Sequence, residues 1–478
     1  MFSSSPSQFA LNRRVFLNRC AGSLGPLALA HLAAGESAHA SHSSVNKNHP
    51  LAAREGHHPA RAKSVICLFQ NGGPSQMDLF DPKPVLARYD GQPYPGELEA
   101  HFEKEVGNVL ASPFGFSPAG ESGMELSEIL PHTSGIVDQI TLVRSMKTLS
   151  VDHEQALHAV HTGRVLAGHP VWGSWVVYGL GTERLDVPAY VVLTDPGGLP
   201  IDGITNWSSA YLPAIYQGTT FGAGKSPVLN LDRPADVSAA ARRNQLELLA
   251  GFNEAHLARH PDRTELAAQI TNYELAARMQ TSVPAVLDIS RETKATQRMY
   301  GLDKPETEDY GRRCLLARRL VEQGVRFVQV YMHSQPWDTH SKNAASLRKL
   351  TARTDQPSAA LVTDLAQRGL LDSTIVLWTG EFGRLPVSQK MDGRDHNRRA
   401  FSLWMAGGGF RSGYVHGATD EFGYEAVEDV VNVYDLHATL LHNLGLDHRH
   451  LRFPHAGRQE RLTDADVTGA RVVRELLA

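Results

Sequence analysis

The chain has 478 residues, 42% hydrophobic and 21% charged, the composition of an ordinary globular protein with room for one large α/β domain or two to three smaller ones. Its 47 basic and 51 acidic residues give a net charge of -4 without a basic stripe or patch, which argues against a nucleic-acid partner. Three cysteines, of which Cys20 would be lost with a cleaved leader, exclude a disulfide framework; Cys67 lies in an apolar run and is expected to be core.

The first 40 residues read as an export signal. Arg13 and Arg14 precede Val15-Phe16-Leu17, a short apolar stretch rich in Gly and Pro follows, and Ala38 and Ala40 complete an A-x-A cleavage site. The paired arginines resemble the twin-arginine signal, so a periplasmic or extracellular location is expected, and the stretch is too short for stable membrane insertion. Residues 41–60 are polar and aperiodic and read as a linker, leaving 61–478 as the folded domain.

Within that domain, short apolar runs alternate with helical patterns. Cys67–Phe69 is a buried strand ending in Gly72-Gly73-Pro74, and "SEILPHTSGIVDQITLVRSM" predicts a helix and then a strand over Ile140–Val143. "VPAYVVLT" is another buried strand. Residues 234–300, dense in Ala, Leu, Glu, Arg and Gln, predict a helical insertion. A helix ending at Gly324 leads to a strand over Phe327–Tyr331. A second helix ends at Gly369 before a strand over Thr374–Trp378. "FSLWMAGGG" predicts one more strand and "NVYDLHATLLHNLGL" a late helix. The fold class is therefore α/β, a mostly parallel central sheet with helices on both faces, in which ligands bind at the carboxyl ends of the strands.

Those ends carry the chemistry. Asp78 and Asp81 follow the first strand; Arg144, Ser145, Thr148, Asp152 and His153 lie at or after the second. The segment "MHSQPWDTHSKN" brings His333, Asp338 and His340, and Glu381, Arg384, Asp395 and His396 come later. Carboxylates and imidazoles converging from several loops suit one or two divalent ions, zinc or manganese better than calcium. The expected metal ligands are Asp78, Asp338, His340, Glu381, Asp395 and His396. Asp338 and His340, two apart on an extended segment, would point to one side. Arg144 or Arg384 would neutralise an anionic group. His153 is a candidate ligand, general base or nucleophile, and Ser145 or Thr148 a candidate hydroxyl nucleophile. His437, His442, His448 and His450, on or after the late helix, are expected at the surface or in support of the site.

Together "RRVFL", "NGGPSQMDLFDPKP", "CLLARRLVEQGVRFVQV", "WDTH", "GEFGR", "GRDHN" and "GGGFRSGYVHGATDEFGY" resemble the exported bacterial family called domain of unknown function 1501. That resemblance implies an alkaline phosphatase/sulfatase-like fold. "LAQRGLLDSTIVLWTGEFG" is similar to the sulfatase strand that ends in metal ligands, with Glu381 for the aspartate and Phe382 for the adjacent His or Asn. "HTGR" is similar to the sulfatase "LTGR", which puts His153 where the modified Cys or Ser would stand. A formylglycine sulfatase is thus not expected. The expected function is a metal-dependent hydrolase of phosphate or sulfate esters acting on an anionic small-molecule or glycan ester. The alternative is a non-catalytic member of the fold that binds a sulfated or phosphorylated glycan or an envelope partner.

Overall fold

The computed structural model describes residues 50–222, 227–228, 231, 237–260 and 264–478. The expected signal peptide and the start of the expected linker lie outside the described residues. Residues 50–60, the end of that linker segment, run along the domain, with Arg54 N–H donating to the Leu180 carbonyl and His57 N–H to that of Gly445.

Nine strands form the central sheet: β1 (Ser64–Phe69), β2 (Ile140–Lys147), β3 (Tyr190–Leu193), β4 (Thr219–Phe221), β5 (Phe327–Tyr331), β6 (Thr374–Thr379), β7 (Phe401–Ala406), β8 (Tyr414–His416) and β9 (Val431–Asn432). Their order is β8-β2-β7-β6-β1-β5-β3-β4, with β9 alongside β2. Every pairing is parallel except those of β7, which runs antiparallel to both β2 and β6. The apolar run of β7 predicts a strand but not its direction, because a strand buried on both faces has no periodic signature of its neighbours.

All six residues of β1 are buried. Ile66 and Leu68 join the core on one face of the sheet, while Val65, Cys67 and Phe69 join the core on the other. The first face is covered by helices α5 (Glu308–Glu322) and α6 (Asn343–Gln367), the second by α1 (His153–Thr162), α2 (Trp172–Leu180) and α7 (Val433–Asn443). Burial of each such Val, Ile or Leu side chain is worth roughly 1.5–3 kcal/mol, so the two-sided core dominates the stability of the frame. The insertion forms helices α3 (Ala239–Arg259) and α4 (Thr264–Leu287), the latter joining the first core through Leu275, Met279 and Val283. The helix expected before β2 shrinks to one turn, Pro131–Ser134, because Gly135 and a short strand at Met124–Ser127 bracket it.

His437 and His448 are buried rather than superficial. His437 Nε2 lies 2.7 Å from the Val160 carbonyl within the second core, and burial lowers its pKa to about 4.

Candidate metal centre

Three loops and one helix end meet at the carboxyl edge of β1, β5 and β6. The loop after β1 passes so close to the loop after β5 that a Cβ on Gly72 would lie 2.5 Å from Asp338 N, at a φ of +111°. Glycine is required there, and it lets the two loops share a wall. The Trp337 N–H donates to the Asn71 carbonyl, at 3.0 Å, which locks that contact. Beyond β6 the chain doubles back, pairing Gly383–Arg384 with His396–Asn397 in an antiparallel ladder that sets Arg384 opposite His396. Asp152 caps α1 by accepting from Gln155 N–H, so that His153 occupies the first helical position.

Asp338 is the hub. Its Oδ1 lies 2.9 Å from His340 Nε2, 3.1 Å from His396 Nε2 and 2.7 Å from an Arg384 guanidinium nitrogen; its Oδ2 lies 3.4 Å from His153 Nε2. The remaining nitrogen of each histidine is engaged elsewhere. His396 Nδ1 is 2.6 Å from the Val151 carbonyl and His153 Nδ1 is 2.7 Å from Glu381 Oε1. His340 Nδ1 meets Gln389 Oε1, the Gln389 amide being oriented by donation of its Nε2 to Glu105. Carbonyl, carboxylate and amide oxygens only accept, so all three Nδ1 atoms carry the proton. A neutral imidazole so fixed turns the Nε2 lone pair toward Asp338.

The proton affinities follow the same geometry. Burial opposes ionisation of Asp338, but hydrogen bonds from His153, His340 and His396 and the charge of Arg384 outweigh it and hold the carboxyl far below its usual range. Burial lowers His396 to about 3, against the pull of Asp338, with help from Arg384 and His153. Burial also works against protonated His153, but hydrogen bonds to Asp338 and Glu381 lift it to about 9. A neutral His396 and an ionised Asp338 are two acceptors facing each other at 3.1 Å. Donation to Asp338 from Arg384 at 2.7 Å and from Gln335 Nε2 at 3.1 Å offsets that repulsion, and a cation between the two groups would remove it.

The donor set fits a divalent transition ion. The ligand atoms of His153, Asp338 and His396 lie within 4.8 Å of one another, as do those of His340, Asp395 and His396. Imidazole nitrogens anchored at their far side by carbonyl or carboxylate oxygens, beside a carboxylate, are typical of zinc or manganese coordination.

Not every expected residue joins the cluster. Asp78 is fully buried and held by a bidentate pair with Arg394, at 2.8 and 3.0 Å, and further by Ser75 and Asn343. Burial is outweighed by that pairing and its pKa is lowered; held by four donors of the chain, Asp78 stands apart from the cluster as a paired anion. Asp81 pairs with Lys83 and Thr419. Glu381 supports His153 and accepts from Gly72 N–H at 2.8 Å, and its Oε2 is buried without a partner. Asp395 accepts from Phe102 N–H and His396 N–H, both at 2.8 Å, and borders the cluster. Arg384 is a site residue. Arg144 is not: its Nε donates to the Phe80 carbonyl. Ser145 donates to the Asp429 carbonyl at 2.8 Å. His333 turns to Asp195.

Sequence reasoning missed Gln389, the Val151 carbonyl and Asn71. Asn71 has no exposed surface and neither atom of its amide has a partner. Its place before Gly72-Gly73 was the available signal; for Gln389 there was none.

A sequence model of the family described as "Protein of unknown function (DUF1501)" matches residues 62–477. The chain belongs to that family. No curated protein matches the sequence. Among solved structures, this DUF1501 chain is similar to the PsFucS1 sulfatase from Pseudoalteromonas sp. at 12% identity, over 81% of this chain and 68% of that one, with a TM-score of 0.34. It is similar to the phosphonate monoester hydrolase SpPMH from Silicibacter pomeroyi at 11% identity, over 87% and 76%, with a TM-score of 0.35. Against the TAB5 alkaline phosphatase with magnesium bound, identity is 10%, coverage 81% and 99%, and the TM-score 0.34. At TM-scores of this size no residue of those proteins carries over to the DUF1501 chain.

Proposed function

We propose that this DUF1501 protein is a metal-dependent hydrolase of phosphate or sulfate esters. The observation that carries the reading is the convergence of three Nε2 atoms, from His153, His340 and His396, on the Asp338 carboxylate, with every Nδ1 tied to an acceptor. His153, Asp338, His340 and His396 would hold the ion, with zinc or manganese suiting the imidazoles better than calcium. A bound divalent ion polarises an ester oxygen and lowers the pKa of a coordinated water.

The chain's own groups supply the rest. Arg384, without exposed surface, is fixed by the carbonyls of Gly72, Gly73 and Arg394 and orients Asp338. Glu381 fixes the orientation of the His153 ring. In the proposed hydrolysis a water oxygen bonds to phosphorus or sulfur, the ester P–O or S–O bond breaks, and the alcohol leaves with a proton. In this reading the attacking group is water, with Ser145 donating to the Asp429 carbonyl. Export by the twin-arginine route to the periplasm belongs to the same proposal.

The test is metal content and turnover together. Purified protein should carry stoichiometric zinc or manganese and cleave p-nitrophenyl phosphate or sulfate, and His396→Ala should lose both. Wild-type protein with no metal and no metal-stimulated turnover would leave the glycan- or partner-binding alternative in its place.

A further inference from the structure

The short strand that sets His396 opposite Arg384 runs on into two arginines, Arg398 and Arg399, and both turn to one carboxylate. Arg398 holds Glu99 in a two-point contact, its Nε 2.8 Å from Oε1 and a terminal nitrogen 3.0 Å from Oε2; Arg399 Nε lies 3.3 Å from Oε2. Arg399 also meets Glu425 at 3.3 Å, which Lys147 shares at 3.2 Å. Three cations thus divide two carboxylates. Among the described residues Arg398 has no other carboxylate in ion-pair contact.

This fork borders the metal centre. Two residues after Glu99, the His101 ring stacks on the His396 ring, centroids 5.0 Å apart, and the Phe102 ring stands edge-on to His340 at 5.3 Å. Phe102 N–H donates to Asp395 at 2.8 Å. Arg398 is itself two residues from His396, a span of at most about 7 Å between Cα atoms. An anion on the fork is therefore a close neighbour of one on the Asp338 cluster. The Glu99 backbone is anchored, its N–H donating to the Tyr424 hydroxyl at 2.8 Å, but its side chain is 36% exposed, and ion pairs so placed add little to stability. The carboxylate can swing out while the segment stays in place. What it occupies meanwhile is a guanidinium pair with the geometry to take any carboxylate, phosphate or sulfate.

We propose that Arg398 and Arg399 form a subsite for a second anionic group of the substrate, carried on the same molecule as the ester, and that Glu99 holds the fork until that group displaces it. The proposal rests on the hydrolase reading for the ester and on the Glu99 contacts for the second group.

Isothermal titration calorimetry on the zinc-loaded protein with butylphosphonate and with 4-carboxybutylphosphonate, neither of which has an ester bond to cleave, reads the subsite as a ratio of two affinities. In the wild type the carboxylated compound should bind about ten-fold more tightly, the gain of one charge-assisted contact. Glu99→Gln removes the competing charge at almost constant volume and should raise the ratio further. Arg398→Met keeps the aliphatic stem and should bring the ratio down to near one. An unchanged melting midpoint shows that each variant is folded. A wild-type ratio near one, or a ratio that either substitution leaves unmoved, overturns the subsite and leaves the hydrolase reading standing. Failure of both phosphonates to bind overturns the phosphate head site on which the proposal rests, and the subsite with it.

Discussion

Replacing Asp338 by asparagine removes one charge and almost no volume, at the point where three imidazoles and a buried guanidinium meet. Two effects add. With chelator present, Arg384 loses its carboxylate partner but keeps the carbonyls of Gly72, Gly73, Trp337 and Arg394, so the cost should be about 1–3 kcal/mol, that of a disrupted buried hydrogen-bond network. With free zinc a hundredfold above Kd, the wild type gains about 2.7 kcal/mol from the bound ion and the variant should gain none. The gap between wild type and Asp338→Asn should therefore widen from about 1–3 kcal/mol in EDTA to about 4–6 kcal/mol in zinc. Urea titrations in both buffers, with metal content measured on the same samples, read both components. The reasoning fails if the wild-type midpoint is the same in EDTA, zinc and manganese, or if Asp338→Asn retains stoichiometric metal.

Gln389→Leu removes the acceptor for His340 Nδ1, together with the Gln389 donation to Glu105, and should lower metal affinity about 10–100-fold in a chelator competition while leaving the fold intact. Arg394→Met strands the buried Asp78 carboxylate and should cost about 3–5 kcal/mol in urea unfolding, yet the folded fraction should keep its metal, because Asp78 is not a ligand. Acid should destabilise the protein through His161 and His437, whose burial lowers them to about 3 and about 4. The unfolded chain takes up protons at these positions as pH falls through about 6.5 while the folded chain does not. Stability is thus full above that value and falls progressively toward pH 4, by up to about 2 kcal/mol per histidine between pH 7 and 5. Replacing His437 by glutamine should flatten that decline; an equally steep one would refute the assignment.

The frame was readable because its signals are local. Each of β1, β3, β5 and β6 is a run of four to six buried residues, and the helices before β5 and β6 end near Gly324 and Gly369, both of which adopt positive φ. The direction of β7 was not readable, since it depends on which strands flank it. The single helical turn before β2 was not readable either, because Pro131 and Gly135 permit a longer helix as well as a short one.

The site divides along a different line. Asp78 and Asp338 look alike in sequence: each follows a buried strand in a polar loop, and each ends up beside a buried arginine. They differ in what else reaches them. Arg394 covers both oxygens of Asp78 in a flat two-point contact and Ser75 and Asn343 add two more donors to Oδ2, so its charge is met by donors of the chain itself. Arg384 contacts only Oδ1 of Asp338 and Gln335 Nε2 only Oδ2, and the other directions are filled by three imidazole nitrogens, of which that of a neutral His396 has no proton to give. A carboxylate covered by amide, hydroxyl and guanidinium donors is a structural anion; one faced by imidazoles can exchange their protons for a cation. That distinction is set by Arg384 and His396, 46 and 58 positions beyond Asp338 along the chain, and by the antiparallel pairing between them, which is why Asp338, His340 and His396 could be named from strand ends while Asp78 could not be set apart from them.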